Sequence, residues 1–220
     1  EFNIVDERWE EAPVVKIDDG DSYELEDDFY PFSNTGSGSV TAPIMAVDTM
    51  IPPGEPDESS SGCTADDFEG FVEGSIALLQ RGQCTFQTKV QHAVDAGAAA
   101  VLIFNEGQRG RRDVFYGSLD EAAENAVPAF ALSYDVGLVL SELGDERTVT
   151  VDAQVIYEVI PTFNVMAETG GDPSRTVIVG AHLDSVGAGP GINDNGSGVA
   201  MILEMAKQIA NEGVEPDNML

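Results

Sequence analysis

Short runs of apolar residues, separated by acidic and glycine-rich segments, set the pattern through the middle of the chain. Apolar runs of this length predict strands at residues 40–47, 76–80, 99–104 and 127–132. Between residues 148 and 155 apolar and polar positions alternate, which predicts a strand with one face in solvent. The middle of the chain is therefore expected to contain a small sheet.

Apolar residues also recur twice at helical spacing in this region. The residues that share the first helical face are Phe86, Val90, Ala93 and Val94. Gly97 is suited to end this helix, because glycine readily adopts the left-handed conformation found at helix C-termini. His92 lies on the opposite, polar face, and we interpret it as a surface histidine with no catalytic role. Ser133 can cap a second helix that runs through Leu143 and ends at Gly144.

A strand, a polar loop and a helix follow one another near the end of the sequence. Residues 176–181 are mostly β-branched and apolar, which predicts a buried strand. The loop of residues 182–197 is rich in glycine and polar groups. Helical spacing resumes from residue 199 to residue 210, with Ser197 as the expected N-cap and Gly213 as the terminator. Ligands of open α/β sheets bind where such a loop leaves a strand, so this loop is the candidate site.

The candidate loop contains residue types that bind metal ions. His182 opens it, Asp184 follows two residues later, and Asp194 lies ten residues further on. An imidazole nitrogen and a carboxylate oxygen are zinc ligands, and a second carboxylate can hold the other imidazole nitrogen. Phosphate-loop and serine-nucleophile motifs are absent from the loop. A calcium loop fits the Asn-Asp-Asn triplet but suits a histidine badly, and a solvated turn with one surface histidine stays open.

The segment HLDSVGAGPGINDNGSG resembles the signature of the secreted co-catalytic zinc aminopeptidases, the family of bacterial leucyl aminopeptidase and yeast aminopeptidase Y. The resemblance implies that His182 binds one zinc, and that Asp184 supports this histidine without binding the zinc itself. It implies that Asp194 bridges two zincs. The similarity extends back through residues 162–169, where Phe163 and its alternate neighbours are spaced as in a strand.

A second segment, GSIALLQRGQCTFQTKVQHAVDAGAAAVLIFNE, resembles the protease-associated domain. The resemblance implies a small α+β fold, a β-barrel-like sandwich with short helices. It also implies a disulfide between Cys63 and Cys84, although two buried free thiols stay open from the residues alone. In an exported chain such a bond contributes about 3 kcal/mol. The family suggests a role in contacting substrate or a partner protein.

These resemblances divide the chain into three segments. Residues 1–30 are interpreted as an incoming peptidase strand and a linker, residues 31–155 as the protease-associated domain, and residues 156–220 as part of an α/β/α zinc-exopeptidase domain. The family also needs two adjacent glutamates and a later aspartate and histidine. The sequence after Asp194 offers only Glu204, Glu212, Glu215 and Asp217, on or just after the predicted helix, and no histidine. We therefore expect the 220 residues to be a piece of a longer protein, and to be inactive alone.

Charge narrows the range of partners. The chain has 40 acidic and 10 basic residues, a net charge of −30, which argues against nucleic acid and anionic membranes. The acidic residues are spread along the chain, as in proteins from salty environments. The longest apolar run, residues 98–104, is too short to span a bilayer. The first residue is not Met, so we expect a processed or cut N-terminus and a secreted protein.

Two loops receive structural interpretations only. Residues 51–63 are expected to form an exposed loop, and the basic cluster of Arg109, Arg111 and Arg112 to lie on a mobile, solvated one.

The predicted function of the whole protein is a di-zinc aminopeptidase that removes N-terminal residues from peptides. The alternatives are a carboxypeptidase or dipeptidase of the same clan, and a receptor-like protein that only binds.

Overall fold

The computed structural model describes residues 2–120, 127–143, 147–185, 189–213 and 216–219. It divides the chain into two compact units, residues 3–160 and residues 161–220 with residues 1–2. None of the helices in the described part of the chain combines the length and the hydropathy that a bilayer crossing requires.

The first unit is built on a mixed sheet of seven strands. The strands of this unit, in chain order, are β1 (Phe2–Trp9), β2 (Val14–Ile17), β3 (Phe29–Pro31), β4 (Gly38–Ala46), β5 (Ile76–Gln80), β6 (Ala100–Phe104), β7 (Ala129–Leu132), β8 (Thr148–Ala153) and β9 (Val155–Thr162). The large sheet has the order β2-β8-β4-β5-β6-β7-β3, while β1 pairs with β9 in a separate two-stranded sheet. From β4 to β7 neighbouring strands are parallel, and the outer pairings are antiparallel.

Two hydrophobic clusters cover the two faces of this sheet. All seven strands contribute side chains to the first cluster, so the sheet curls around it as in a barrel-like sandwich. The second cluster packs helix α1 (Phe86–Asp95) against the other face of β5, β6 and β7. Helix α2 (Tyr134–Ser141) adds to the first cluster. The central strands are therefore buried on both sides, as their uninterrupted apolar runs predict.

The structure confirms the α+β fold class and most elements of this unit. Strand β8 alternates between half-buried and buried residues, as its sequence predicts. Helix α1 begins after Thr85, whose hydroxyl accepts a hydrogen bond from the Thr88 amide at 3.2 Å. Gly97 follows the helix with a φ of 85°. Ser133 caps α2, which ends at Ser141, two residues before the predicted end.

Residues 1–30 differ from the linker that their acidic composition suggests. Strand β2 pairs with β8, and β3 pairs with β7, so both belong to the large sheet. Val15 and Phe29 are buried in the first cluster. The sequence pattern does not predict β2 and β3, because two or three apolar residues form a strand only where a sheet edge supplies the pairing.

The basic loop is fixed rather than mobile, so that prediction is wrong. Arg111 forms an ion pair with the buried Glu106 and another with Asp57, the latter at 2.7 Å. Arg112 pairs with Asp135 and lies 4.8 Å from the centre of the Tyr134 ring. Tertiary partners from distant parts of the chain hold these side chains, and spacing along the sequence does not show them.

The loop of residues 51–63 is mostly exposed over residues 51–58, as predicted, but its end and the first histidine differ from expectation. Ser59 and Ser61 are buried, and the Ser61 hydroxyl donates to the Val47 carbonyl at 2.5 Å. His92 is half-buried, and its Nδ1 lies 3.1 Å from the carbonyl oxygen of Gly62. The histidine therefore has a structural contact with this loop. Beside it, Cys63 and Cys84 form the expected disulfide, with their Cα atoms 5.7 Å apart.

The second unit contains strand β10 (Asp172–Thr176), strand β11 (Asn218–Met219) and helix α3 (Ser197–Glu212). Strands β10 and β11 are parallel, as expected for an α/β domain. The strand predicted at residues 176–181 is wrong in its position, since β10 ends at Thr176 and Ile178 is 87% exposed. Residues 163–169 lie outside the described strands, against prediction.

These shifts have one physical cause. Within the described residues β10 pairs only with β11, and α3 buries none of its side chains. Apolar runs mark a strand that neighbouring elements cover, and such cover is missing from the described part of this unit. The expected N-cap is also wrong, because the Ser197 hydroxyl donates to the Asn193 carbonyl at 2.6 Å instead. Gly213 does end α3 in the left-handed conformation, as predicted.

Candidate metal centre

The loop between β10 and α3 folds back on itself through a few local contacts. The Ser185 hydroxyl donates to the Gly189 carbonyl at 2.9 Å, and the Gly196 amide donates to the Gly191 carbonyl at 2.9 Å. Gly191 has a φ of 61°, and a Cβ there would lie 2.7 Å from the Asp194 carbonyl oxygen. A larger residue at this position would therefore be strained and would displace Asp194.

This fold brings the three sequence-predicted site residues together. His182 lies between two carboxylates, although one of them is twelve residues away in the sequence. Its Nδ1 is 3.0 Å from Asp184 Oδ1, and its Nε2 is 3.2 Å from Asp194 Oδ1. The peptide bond between Asp194 and Asn195 is cis. Each ring nitrogen thus faces a different carboxylate, which is the arrangement that the sequence suggests.

The surroundings of His182 favour a positive charge at this point. The pKa of its imidazole is raised, first by the backbone carbonyl of Asp184, which accepts from Nδ1. The carboxylates of Asp184 and Asp194 raise it further by Coulomb attraction. A site that stabilises an imidazolium in this way presents negative potential, and a cation can take the place of the proton.

The donor atoms fit zinc in type and in spacing. Zinc takes imidazole nitrogen and carboxylate oxygen at about 2.0–2.2 Å, so two ligands of one tetrahedral ion lie roughly 3.3 Å apart. The observed separation of His182 Nε2 and Asp194 Oδ1 is 3.2 Å. The Asp184 carboxylate then contacts the other ring nitrogen, Nδ1. A carboxylate in this position fixes the orientation of a metal-binding histidine.

The site is open and has few donors. The side chains of His182 and Asp194 are 49% and 92% exposed. Among the described residues, no group of three or more His, Cys, Asp or Glu side chains is arranged to hold a metal ion. His182 and Asp194 can therefore supply one pair of ligands, with Asp184 in a supporting position.

Sequence reasoning does not predict the contacts that shape this loop. Ser185 and Gly191 close its turn, and the Ser197 hydroxyl bonds back to Asn193 at the start of α3. The glycine density of the segment was the available signal. It indicates a tight loop, but it does not identify the glycine that requires a positive φ.

Comparison with protein-family models matches both parts of the chain. Residues 40–140 match the PA domain, and residues 164–220 match peptidase family M28. The first range covers β5, β6, β7 and α1 completely, and nearly all of β4 and α2. The second contains the loop that holds His182 and Asp194.

Curated relatives of the chain are aminopeptidases. An aminopeptidase of Pseudomonas aeruginosa is 46% identical over 194 residues, which cover 86% of this chain and 35% of the relative. The probable leucine aminopeptidase 2 of Aspergillus fumigatus is 36% identical over 213 residues, covering 94% of this chain and 39% of the relative. The chain thus spans between a third and two fifths of the length of these relatives.

Solved structures agree in fold. An aminopeptidase from Aneurinibacillus sp. strain AM-1 superposes with a TM-score of 0.75 at 27% identity, over 100% of this chain and 50% of that one. A zinc aminopeptidase from Bacillus subtilis gives a TM-score of 0.61 at 23% identity, over 99% of this chain and 49% of that one. The second similarity concerns the fold alone.

Proposed function

Since this chain belongs to the M28 aminopeptidase family that carries a PA domain, we propose that the whole protein is a zinc-dependent aminopeptidase. It would remove N-terminal residues from peptides, with two zincs in the complete active site. The observation that carries the proposal is the pairing of His182 Nε2 and Asp194 Oδ1 at 3.2 Å, in the segment matched to the peptidase family.

Each residue of the site has a separate part in this proposal. His182 and Asp194 would hold the metal, and the carboxylate of Asp194, 92% exposed, has its second oxygen free to reach another ion. Asp184 would keep the imidazole ring in place and fix its tautomer. Bound zinc would supply Lewis acidity that lowers the pKa of a water molecule. The proton from that water needs a general base, and neither aspartate is free for that task while bound as described.

The 220 residues alone are proposed to be inactive. Two zincs need more ligands than one histidine and one bridging carboxylate provide. The described residues bring no third donor to this pair. Peptide hydrolysis by the isolated 220-residue chain, abolished by His182→Ala, would refute this part of the proposal.

We further propose a secreted enzyme with a preference for leucine or similar apolar N-terminal residues. The relative from Aspergillus fumigatus is described as a probable leucine aminopeptidase. The disulfide between Cys63 and Cys84 is of the kind that persists outside the cytosol. A surface with a net charge of −30 is proposed to suit a salty medium.

The decisive experiment measures zinc content and hydrolysis of leucyl anilide by the full-length protein. Asp194→Ala should lose both zinc and activity, because it removes the carboxylate that faces His182. Asp217→Ala is the matched control, since its exposed side chain lies outside the loop and loses the same charge. Both variants retaining zinc and full activity would refute the site. A folded wild-type protein with neither zinc nor turnover would favour the receptor-like alternative.

Substrate form distinguishes the remaining alternatives. An aminopeptidase needs a free α-amino group, whereas a carboxypeptidase needs a free carboxylate. Hydrolysis of a leucyl peptide amide, with no hydrolysis of its N-acetylated form, is expected. The opposite pattern would assign a carboxypeptidase, and cleavage restricted to dipeptides would assign a dipeptidase.

A further inference from the structure

The disulfide of the first unit joins two sulfur atoms in different surroundings. Cys63 Sγ accepts a hydrogen bond from the ammonium of Lys89 at 3.6 Å. Cys84 instead lines an open surface cavity of about 460 Å³. The Cys63 sulfur therefore contacts a buried cation, while Cys84, half-buried like Cys63, borders an open cavity.

Lys89 is unusual because it is fully buried without an ion-pair partner. Its side chain on α1 is 0% exposed, and among the described residues no carboxylate lies within ion-pair distance of Nζ. The ammonium donates to the Ser61 carbonyl and to Cys63 Sγ. Burial lowers the pKa of Lys89 to about 8, against the more distant carboxylates of Asp67, Glu106 and Asp48. At neutral pH the group is still mostly protonated, so a negative charge on Cys63 would be strongly stabilised.

The cavity on the other side gives access to Cys84. Arg81 lines it, with its guanidinium 4.9 Å from the centre of the Phe115 ring. Asp57 and Asp120 line it as well, but Arg111 neutralises Asp57 through a bond of 2.7 Å. The remaining charges of Arg81 and Asp120 are opposite in sign, so the cavity carries no net negative charge and a small nucleophile can approach Cys84 beside the Arg81 guanidinium.

We propose that Cys84 is a site of reversible modification by low-molecular-weight thiols. The thiolate of the incoming thiol attacks Cys84 Sγ, and a new S–S bond forms there. The bond between Cys84 and Cys63 breaks, and its electron pair leaves with Cys63 as a thiolate beside the Lys89 ammonium. Attack of this thiolate on Cys84 reverses the step and releases the small thiol, so no net oxidant or reductant is consumed.

Attack in the opposite direction, on Cys63 with Cys84 as the leaving group, has one feature in its favour. The size of this effect, compared with that of Lys89, decides between the two directions. Cys84 precedes Thr85, the N-cap of α1, and a helix N-terminus also stabilises a thiolate. That effect corresponds to about half an elementary charge. Lys89 carries a full charge, is shielded from water and donates directly to Cys63 Sγ. Cys63 is therefore the better leaving group.

Opening the disulfide leaves the surrounding loop in place. The Ser61 hydroxyl accepts from the Gln80 amide at 3.0 Å, and the Ser59 carbonyl accepts from the Gln83 amide at 3.0 Å. His92 and Lys89 hold the carbonyls of Gly62 and Ser61. These bonds keep Cys63 close to Cys84, so the modification is expected in the folded state and is readily reversed.

The test exposes the 220-residue chain to glutathione under native conditions, alkylates free thiols with iodoacetamide, and locates both adducts by peptide mapping. Glutathione is expected on Cys84 and the alkyl group on Cys63. A neighbouring lysine lowers the pKa of a cysteine thiol from about 8.5 to about 7.5 or below. If the leaving-group dependence is as steep as that of the attacking thiol, Lys89→Met slows the exchange roughly 3–10-fold.

Lys16→Met is the matched control, because this exposed lysine of the same unit loses the same charge. It should exchange at the wild-type rate. Glutathione on Cys63, an equal distribution over both sulfurs, or an unchanged rate in folded Lys89→Met would each overturn the proposal. Fluorescence of Trp9, which packs against the first cluster, reports whether each variant is folded.

A second comparison serves if Lys89→Met does not fold. The single variants Cys84→Ala and Cys63→Ala each leave one free thiol, whose thiolate absorbance can be titrated. The Cys63 thiol is expected to ionise at the lower pH of the two. Ionisation of Cys84 at the lower pH would overturn the direction of attack.

Discussion

Removal of the disulfide gives a prediction whose size follows from the chain connectivity. Cys63 and Cys84 are 21 residues apart in sequence, and their bond joins the end of the loop before β5 to the start of α1. Replacing both by serine frees this segment in the unfolded chain. The variant is expected to fold, because the bonds of Ser59, Ser61 and His92 still hold the loop.

The chain-entropy model gives the expected loss of stability. Closing a loop of this length lowers the entropy of the unfolded chain by about 11 cal/mol/K, which corresponds to about 3 kcal/mol at 25 °C. For a unit of this size, 1 kcal/mol shifts the Tm by about 2–4 °C, so the Tm should fall by about 6–12 °C. Domains are typically stable by about 5–15 kcal/mol, which leaves the variant folded at room temperature.

The assay is urea unfolding of the 220-residue chain, followed by the fluorescence of Trp9. This residue is the one tryptophan of the sequence and packs against the core of the first unit. The free energies of unfolding of oxidised and reduced wild-type protein should differ by the same amount as those of wild type and the double serine variant. This comparison separates the effect of losing the cross-link from the effect of the substitutions. A loss below about 1 kcal/mol would refute the reasoning that the unfolded chain gains freedom.

Three further perturbations test other parts of the structure. Because burial lowers the pKa of Lys89 to about 8 from 10.5, the unfolded chain binds more protons between these values, so stability should rise with pH across that window by up to about 3 kcal/mol. Lys89→Met should flatten this rise in Trp9-monitored unfolding, and an unchanged slope would contradict the assignment. Arg111→Ala should lower the Tm by several degrees because it leaves Glu106 buried without its partner, whereas Arg109→Ala, on the exposed part of the same loop, should leave it unchanged. With a net charge of −30, the Tm should rise from low to molar salt as self-repulsion is screened, and a Tm independent of salt would argue against adaptation to a salty medium.

The sequence by itself predicts the central part of the first unit. Strands β5, β6 and β7 are buried on both faces, so all their positions except Gln80 are apolar, and the run is visible without any knowledge of the neighbours. The helices are also predicted from local sequence, α1 by its one apolar face and the terminating Gly97, and α2 by the polar cap Ser133. Where local pattern and burial agree, sequence is enough.

The candidate site is predictable in its members but not in its arrangement. A histidine and two aspartates in a glycine-rich loop indicate metal binding from residue type alone. Their convergence depends on the turn at Gly191, whose positive φ places Asp194 beside His182. Backbone conformation of this kind is a property of the folded loop, and no spacing rule gives it.

Tertiary structure alone decides the features that depend on distant partners. The edge strands β2 and β3 form because β8 and β7 offer hydrogen-bonding edges, although their own segments are short and acidic. Arg111 is fixed because the loop before β5 brings Asp57 to it, and Lys89 is buried because the carbonyl of Ser61 and the sulfur of Cys63 accept hydrogen bonds from its ammonium group. A single sequence records the propensity of each segment for a helix or strand. It does not record which polar group will find a partner across the fold, because that pairing is set by contacts between residues far apart in the chain.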